Sequence, residues 1–375
     1  MKRSLYRWRR LLTLLSLSMF LSACRAGVPG TAVDRSRGIR VQGPGVPLQL
    51  EFACCDQGLE AMQALLDDPG VLATLEDLHA QVAVAISDFS PQRAELIQRL
   101  QRAGIPVIAW FLLSTNQGYY LNADNAPAAA ARVADFEQWT RDNNLQWAGV
   151  GLDIEPNYAE FSALRKNRWH LIRVLVRNGL DGGRILRARR AYAALVEAFQ
   201  AQGYAVQTYE MPYVPAERST HSSLLDRLLG TVEVRGNEQY LMLYTSAARG
   251  VGAGMIWTLG PHAQAIAIGS TDGASAPGSG SGPLDWTEFS TDLIAASHFT
   301  RHIGVYDLEG CVRQGFLPRL VTMNWSQSVV IPAESVRRAQ LIGFISRSAL
   351  WISSNFLYFL PFGLLLIFWL VRRRW

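Results

Sequence analysis

The segment Trp147 to Pro156, WAGVGLDIEP, runs from apolar residues into two carboxylates two positions apart. On an extended strand Asp153 and Glu155 point to one face. Two carboxylates that close cannot ionise equally, so one keeps its proton to higher pH and can act as an acid near neutrality. The spacing recurs at Tyr306-Asp307-Leu308-Glu309, where ligand binding or a structural role is the expectation. Acids interleaved with aromatic rings have the make-up of a carbohydrate site: rings stack on apolar sugar faces while carboxylates handle protons and hydroxyls.

Positioning such residues requires a scaffold that brings several strand ends together. Strand-like runs fall near Leu48 to Ala53, Gln81 to Phe89, Ile105 to Leu113, Trp147 to Glu155, Tyr204 to Met211, Gln239 to Thr245, Ala263 to Gly269 and His302 to Glu309. Between them lie stretches of helical period: Leu59 to Ala80 with a break at Pro69-Gly70, Ala94 to Ala103 behind Pro91, Pro127 to Asn143, and Phe161 to Asn178 with a second helix after Asp181-Gly182-Gly183. Eight strand–helix repeats predict an α/β fold, a (β/α)8 TIM barrel over residues 47–326, whose strand C-termini converge on one mouth. The glycine-rich stretch Arg249 to Gly260 reads poorly as a helix, and Gly273 to Gly282 has linker composition. The expected rim comprises Cys54, Cys55 and Asp56, then Asp88, Trp110, Asp153, Glu155, Tyr209, Glu210, Tyr213, Met242, Tyr244, Tyr306, Asp307 and Glu309, with Tyr119 and Tyr120 as further sugar platforms. Glu210 reads as a binding residue or a solvated loop acid.

The end of the fourth strand, Gly151-Leu152-Asp153-Ile154-Glu155-Pro156, resembles the closing Asp-x-Glu of the D-x-x-D-x-D-x-E motif of glycoside hydrolase family 18, the chitinase-like barrels. Met242-Leu243-Tyr244 is similar to that family's Met-x-Tyr-Asp element. The resemblance implies Glu155 as general acid, Asp153 as the group orienting an N-acetyl internal nucleophile, and Tyr244 as its hydroxyl partner. Two departures stand out. Ala148-Gly149-Val150-Gly151 replaces the upstream acids, and Thr245 stands where the family has Asp or Asn. A seventh strand ending Ala267-Ile268-Gly269-Ser270 argues against a second nucleophilic glutamate there, and no Gly-x-Ser-x-Gly elbow supports a serine hydrolase. Two functions stay open: a hydrolase of an extracytoplasmic polysaccharide, and a catalytically silent barrel that binds glycan or scaffolds an assembly.

Basic residues up to Arg10 precede the apolar run Leu11 to Phe20, the layout of a signal peptide over residues 1–23. Leu21-Ser22-Ala23-Cys24 resembles a bacterial lipobox, which implies lipidation of Cys24. Residues 24–46 read as a linker and 327–348 as a juxtamembrane segment. Residues 349–371 are apolar over a length that suits a transmembrane helix, followed by a basic tail over 372–375. Both ends point to a membrane-anchored envelope protein with its barrel outside and its C-terminus cytoplasmic. The formal charge of +5 includes five basic residues up to Arg10 and three C-terminal arginines, so between the ends the body carries about −3, and no basic, aromatic-laced patch favours nucleic acid. Glycan and membrane are therefore the expected partners, and no cofactor is expected. Cysteine and histidine spacing suggests no metal site. Because first and eighth strands adjoin in a closed barrel, Cys54 or Cys55 is expected to pair with Cys311.

Overall fold

Apolar runs such as Gln81–Ile86, Val107–Phe111 and Ala265–Gly269, too uniformly hydrophobic for a half-exposed sheet, become strands covered on both faces. The computed structural model describes residues 38–156, 174, 177–179, 181–273, 282–355 and 372. After a short strand β1 (Ile39–Gln42) come β2 (Gln49–Cys54), β3 (Gln81–Ile86), β4 (Val107–Phe111), β5 (Gly149–Asp153), β6 (Val206–Glu210), β7 (Glu238–Met242), β8 (Ala265–Gly269) and β9 (His302–Tyr306). Strands β2 to β9 pair in parallel in chain order, and β2 closes on β9 with Ala53 opposite Tyr306. The expected closed barrel is the observed architecture.

Helix boundaries follow local chemistry. Asp68 breaks the first helical stretch into Leu59–Asp67 and Pro69–Asp77 and accepts from the Gly70 N–H. Ser90 caps Pro91–Arg102, Asp181 caps Gly182–Ala201, and Asp285 with Glu288 forms a capping box on Trp286–Ser297. The strands turn one face to these helices. Phe111 packs edge-on against Phe136 and Phe199 with centroids 5.7 and 5.5 Å apart, and burying each such ring is worth roughly 2–3 kcal/mol. The other face fills the barrel, where alanines on β3 and β8 (Ala83, Ala85, Ala265, Ala267) leave space for Trp110, Tyr209, Tyr240 and Tyr306.

Three segments differ from expectation. Part of the expected linker is strand β1, which pairs antiparallel with β10 (Ser328–Ile331), Ile39 opposite Ile331. Alternate residues Val41 and Ile331 are buried, and that burial draws the ribbon onto the barrel. The glycine-rich stretch forms a helix, Ala253–Leu259, because Gly254 permits close approach to the C-terminal helix Ala333–Ser354: a Cβ there would lie 2.4 Å from the Ser335 carbonyl carbon. That C-terminal helix runs unbroken through residue 349, so residues 348 and 349 belong to one element with no boundary between them. Among the described residues no helix is long and apolar enough to cross a membrane. Residues 1–37 with Cys24, most of the helix expected over Phe161 to Asn178, residues 274–281 and residues 356–371 lie outside the described residues.

Candidate active site at the barrel mouth

Strand β5 ends at Asp153, yet the chain stays extended for two more residues because the loop after β4 folds back onto it. Leu121 N–H donates to the Asp153 carbonyl at 3.2 Å and Glu155 N–H donates to the Leu121 carbonyl at 2.9 Å, a parallel bridge between Leu121 and Ile154. The loop is itself closed by Leu113 N–H on the Tyr119 carbonyl at 2.8 Å. This clamp gives Asp153 and Glu155 the common face that their spacing predicts. Gly151 is required just upstream, since a Cβ would meet the Tyr209 ring and hydroxyl at 3.0 Å. The position where the resembled motif carries an acid is therefore filled by a tyrosine from β6.

Burial pushes the Asp153 carboxyl well above the usual carboxylate range, and the neighbouring Glu155 pushes it further. The Trp110 indole works in the opposite direction, although neither Trp110 Nε1 nor Asp153 Oδ1 completes a hydrogen bond among the described residues. Burial raises Glu155 as well. Glu155 is half-buried whereas Asp153 is buried, so Glu155 is the more accessible proton carrier.

Aromatic groups and further acids surround the pair. The Tyr244 phenol is raised by burial and then by the charges of Asp153 and Glu155. Tyr244 stacks on Tyr306 with centroids 5.5 Å apart, and Trp110 meets Tyr306 edge-on at 6.3 Å. Tyr120 is raised by burial and then by Glu155, and packs edge-on against Tyr119 at 5.0 Å. Tyr306 donates its hydroxyl to Asp56 Oδ2 at 2.7 Å. Asp307 caps the helix Leu308–Arg313 through Gly310 N–H at 3.0 Å, and Glu309 Oε1 accepts from Cys55 N–H at 2.6 Å.

Other expected rim residues lie elsewhere. Tyr209 is deeper in the barrel, its hydroxyl 3.1 Å from Glu51 Oε1, and Met242 packs beside Tyr240, Ala265 and Ala267. Asp88 is occupied by Arg93, which donates Nε and Nη2 to Oδ2 at 3.0 and 2.7 Å, and by Ser90 N–H on Oδ1. Its carboxyl is held at about 2, where the Arg93 and Ser90 contacts overcome the effect of burial. Glu210 alternates away from Tyr209 on β6 and pairs with Arg218 Nη2 at 2.7 Å, while Tyr213 contacts Thr231. Glu210 lines a small cavity outside the barrel wall with Thr231, Asp226 and Val232. Thr245 bonds Asp292 of the helix Trp286–Ser297, so its hydroxyl is taken up behind the site.

The expected disulfide is corrected. Cys54 is bonded to Cys55, and Cys311 is free and buried. Strands β2 and β9 do adjoin, but Cys55 takes a left-handed conformation with its N–H fixed on Glu309, and the Cys311 thiol, one turn into its helix, turns to Thr271.

Four buried acids escaped the sequence reading: Glu51, Glu217, Asp226 and Asp292. Glu51, in the barrel interior, accepts from Gln207 Nε2 at 2.8 Å and from Tyr209, and burial lifts it to about 7. Strict alternation in Leu48 to Phe52 sets it opposite Leu50 and Phe52, which is the signal that could have found it. Asp292, lifted by burial to about 8, stands three residues after buried Phe289 and so on the apolar helix face.

No family model matches the chain, and no curated protein matches it. Among solved structures, the PgaB (BpsB) glycoside hydrolase domain from Bordetella bronchiseptica is similar over 74% of this chain and 98% of that one, with a TM-score of 0.44 and 10% identity. The xylanase-α-amylase inhibitor protein XAIP-I, in a complex with trehalose, is similar over 75% and 100%, with a TM-score of 0.40 and 11% identity. A tryptophan synthase chain from Pyrococcus furiosus is similar over 75% and 97%, with a TM-score of 0.37 and 13% identity. A hydrolase domain, an inhibitor and a synthase differ in chemistry, so the function of this chain is argued from its own side chains.

Proposed function

We propose that the barrel is a glycoside hydrolase acting on an N-acetylated, β-linked polysaccharide, with Glu155 as general acid. The supporting observation is the clamped Asp153–Glu155 pair, two carboxyls raised by burial, Asp153 further by its neighbour, with the Tyr120 and Tyr244 phenols raised in turn by their charge. Glu155 gives its proton to the leaving glycosidic oxygen as the C1–O bond breaks, while the carbonyl oxygen of the substrate's own acetamido group bonds to C1. Asp153 and Tyr244 orient that acetamido group. The Glu155 carboxylate then removes a proton from the water that attacks C1, which restores both the acetamido group and the acid.

A second reading, a barrel that binds glycan without cleaving it, is favoured by two observations. Tyr209 fills the place of an acid beside Gly151, and the Thr245 hydroxyl is committed to Asp292. A hydrolysis screen with β-linked N-acetylated oligosaccharides separates the readings. Product release by the wild-type chain that is lost in Glu155→Gln supports the enzyme; glycan binding without release by either protein supports the binder.

For location, we propose attachment at the outer face of a membrane. The helix Ala333–Ser354 exposes Leu341, Ile342, Ile345 and Ile352, Leu341 at 59% and Ile345 at 57%, immediately before the apolar run that ends at Arg372-Arg373-Arg374. Exposed apolar surface next to such a run fits contact with lipid.

A further inference from the structure

On the side of the mouth formed by β2 and β9 lie three acids that the hydrolytic scheme does not use: Asp56, Asp307 and Glu309. We propose that their carboxylates hold a hard divalent cation, Mg2+, Mn2+ or Ca2+. Carboxylate oxygens from the three lie within 4.8 Å of one another. Ligands on one ion with bonds of about 2.0–2.6 Å are at most about 4–5 Å apart, so a single ion can bridge them.

A second observation is independent of that clustering. Asp307 is 1% exposed and Glu309 7% exposed, and Asp307 Oδ2 and Glu309 Oε2 are buried with no hydrogen-bond partner among the described residues. Each of these carboxylates is anchored through its other oxygen, Asp307 Oδ1 by Gly310 N–H and Thr271, Glu309 Oε1 by Cys55 N–H. Tyr306 orients Asp56 in the same way. Anchoring one oxygen and leaving the other unmatched is how outer-shell contacts prepare a metal ligand.

Among the described residues, the hydrogen-bonding partners of the three acids are hydroxyls and backbone N–H groups, none positively charged. Asp56, Asp307 and Glu309 repel one another, and Asp272 adds to the repulsion on Asp307; a dication bound among them would offset that repulsion. The neighbouring set of Cys54, Cys55 and Glu309 would suit a softer metal, but the two sulfurs are bonded to each other and supply no thiolate. Oxygen donors alone select the hard ions.

The test uses the full chain, stripped with chelator and titrated calorimetrically with MgCl2, MnCl2 and CaCl2, with Mn2+ also followed by electron paramagnetic resonance. We expect one ion per chain and a raised Tm, with affinity reduced at least ~10²-fold in Asp307→Asn and in Glu309→Gln. Asp56→Asn, at a half-buried position, serves if either buried variant fails to fold. Glu155→Gln should bind the ion as the wild type does, which keeps this result separate from the fate of the hydrolytic reading. The absence of binding at up to ~10 mM, beyond the ~1 mM weak end of oxygen-ligand sites, overturns the proposal. Binding unchanged in the folded variants does so equally.

Discussion

Asp153 and Glu155 differ less in chemistry than in surroundings: one is closed in by the barrel interior, the other half-open at the rim. The half-open acid is the one whose protonation a rate measurement should report. Replacing it, Glu155→Gln, keeps size and hydrogen bonding but removes the transferable proton, and we expect kcat to fall by about 10²–10⁴-fold with an unchanged circular dichroism spectrum. Because burial raises the Glu155 pKa, the proton-bearing form persists above the ordinary glutamate range and is lost as pH rises through the raised value. The wild-type kcat/KM profile should therefore descend on the alkaline side, and any residual Glu155→Gln activity should lack that limb. Tyr244→Phe should lower kcat more than it raises KM, by roughly 10-fold, the worth of one hydrogen bond to the reacting group.

Elements show where sequence reasoning works and where it stops. Eight apolar runs with helical stretches between them were enough to read the barrel, because period and length distinguish strand from helix. The placement of Asp153, Glu155 and Tyr244 at or just beyond strand ends was legible for the same reason. The inward or outward turn of single residues was less so: Glu210 and Tyr209 are adjacent on β6, and only one can face the interior. Asp88 was unreadable as an ion-pair partner because Arg93 reaches it from the next helix. The β1–β10 ribbon was hidden because its two four-residue strands lie nearly 300 positions apart, beyond the reach of any local pattern. The docking of Ala253–Leu259 on the C-terminal helix depends on one absent methyl group. Gly254→Val should force the two helices apart at a cost of about 1–3 kcal/mol, seen as a lower Tm and faster proteolysis within Ala333–Ser354; unchanged values would disprove tight contact there.

At the scale of the whole molecule, buried acids set the response to pH. Glu51 and Asp226 are lifted by burial to about 7 and Asp292 to about 8. A carboxyl with a raised folded pKa holds its proton more tightly folded than unfolded, so its contribution is complete below the unfolded value near ~4. That contribution is lost as pH rises through ~7–8, and denaturant midpoints should decline from pH 5 to pH 9. Glu51→Gln should flatten that slope; a midpoint that rises with pH would contradict it. The ribbon has a mechanical meaning as well. Because Ile39 faces Ile331 and Gln42 faces Ser328, the chain before residue 39 and the chain after residue 331 leave from the same end of the ladder. Pulling Ile39 and Ile331 apart at that end would therefore unzip the four rungs one at a time, where a pull along the strands would shear them together. The ladder's resistance at that end is thus set by its first rung, Ile39 with Ile331, and not by the sum of all four.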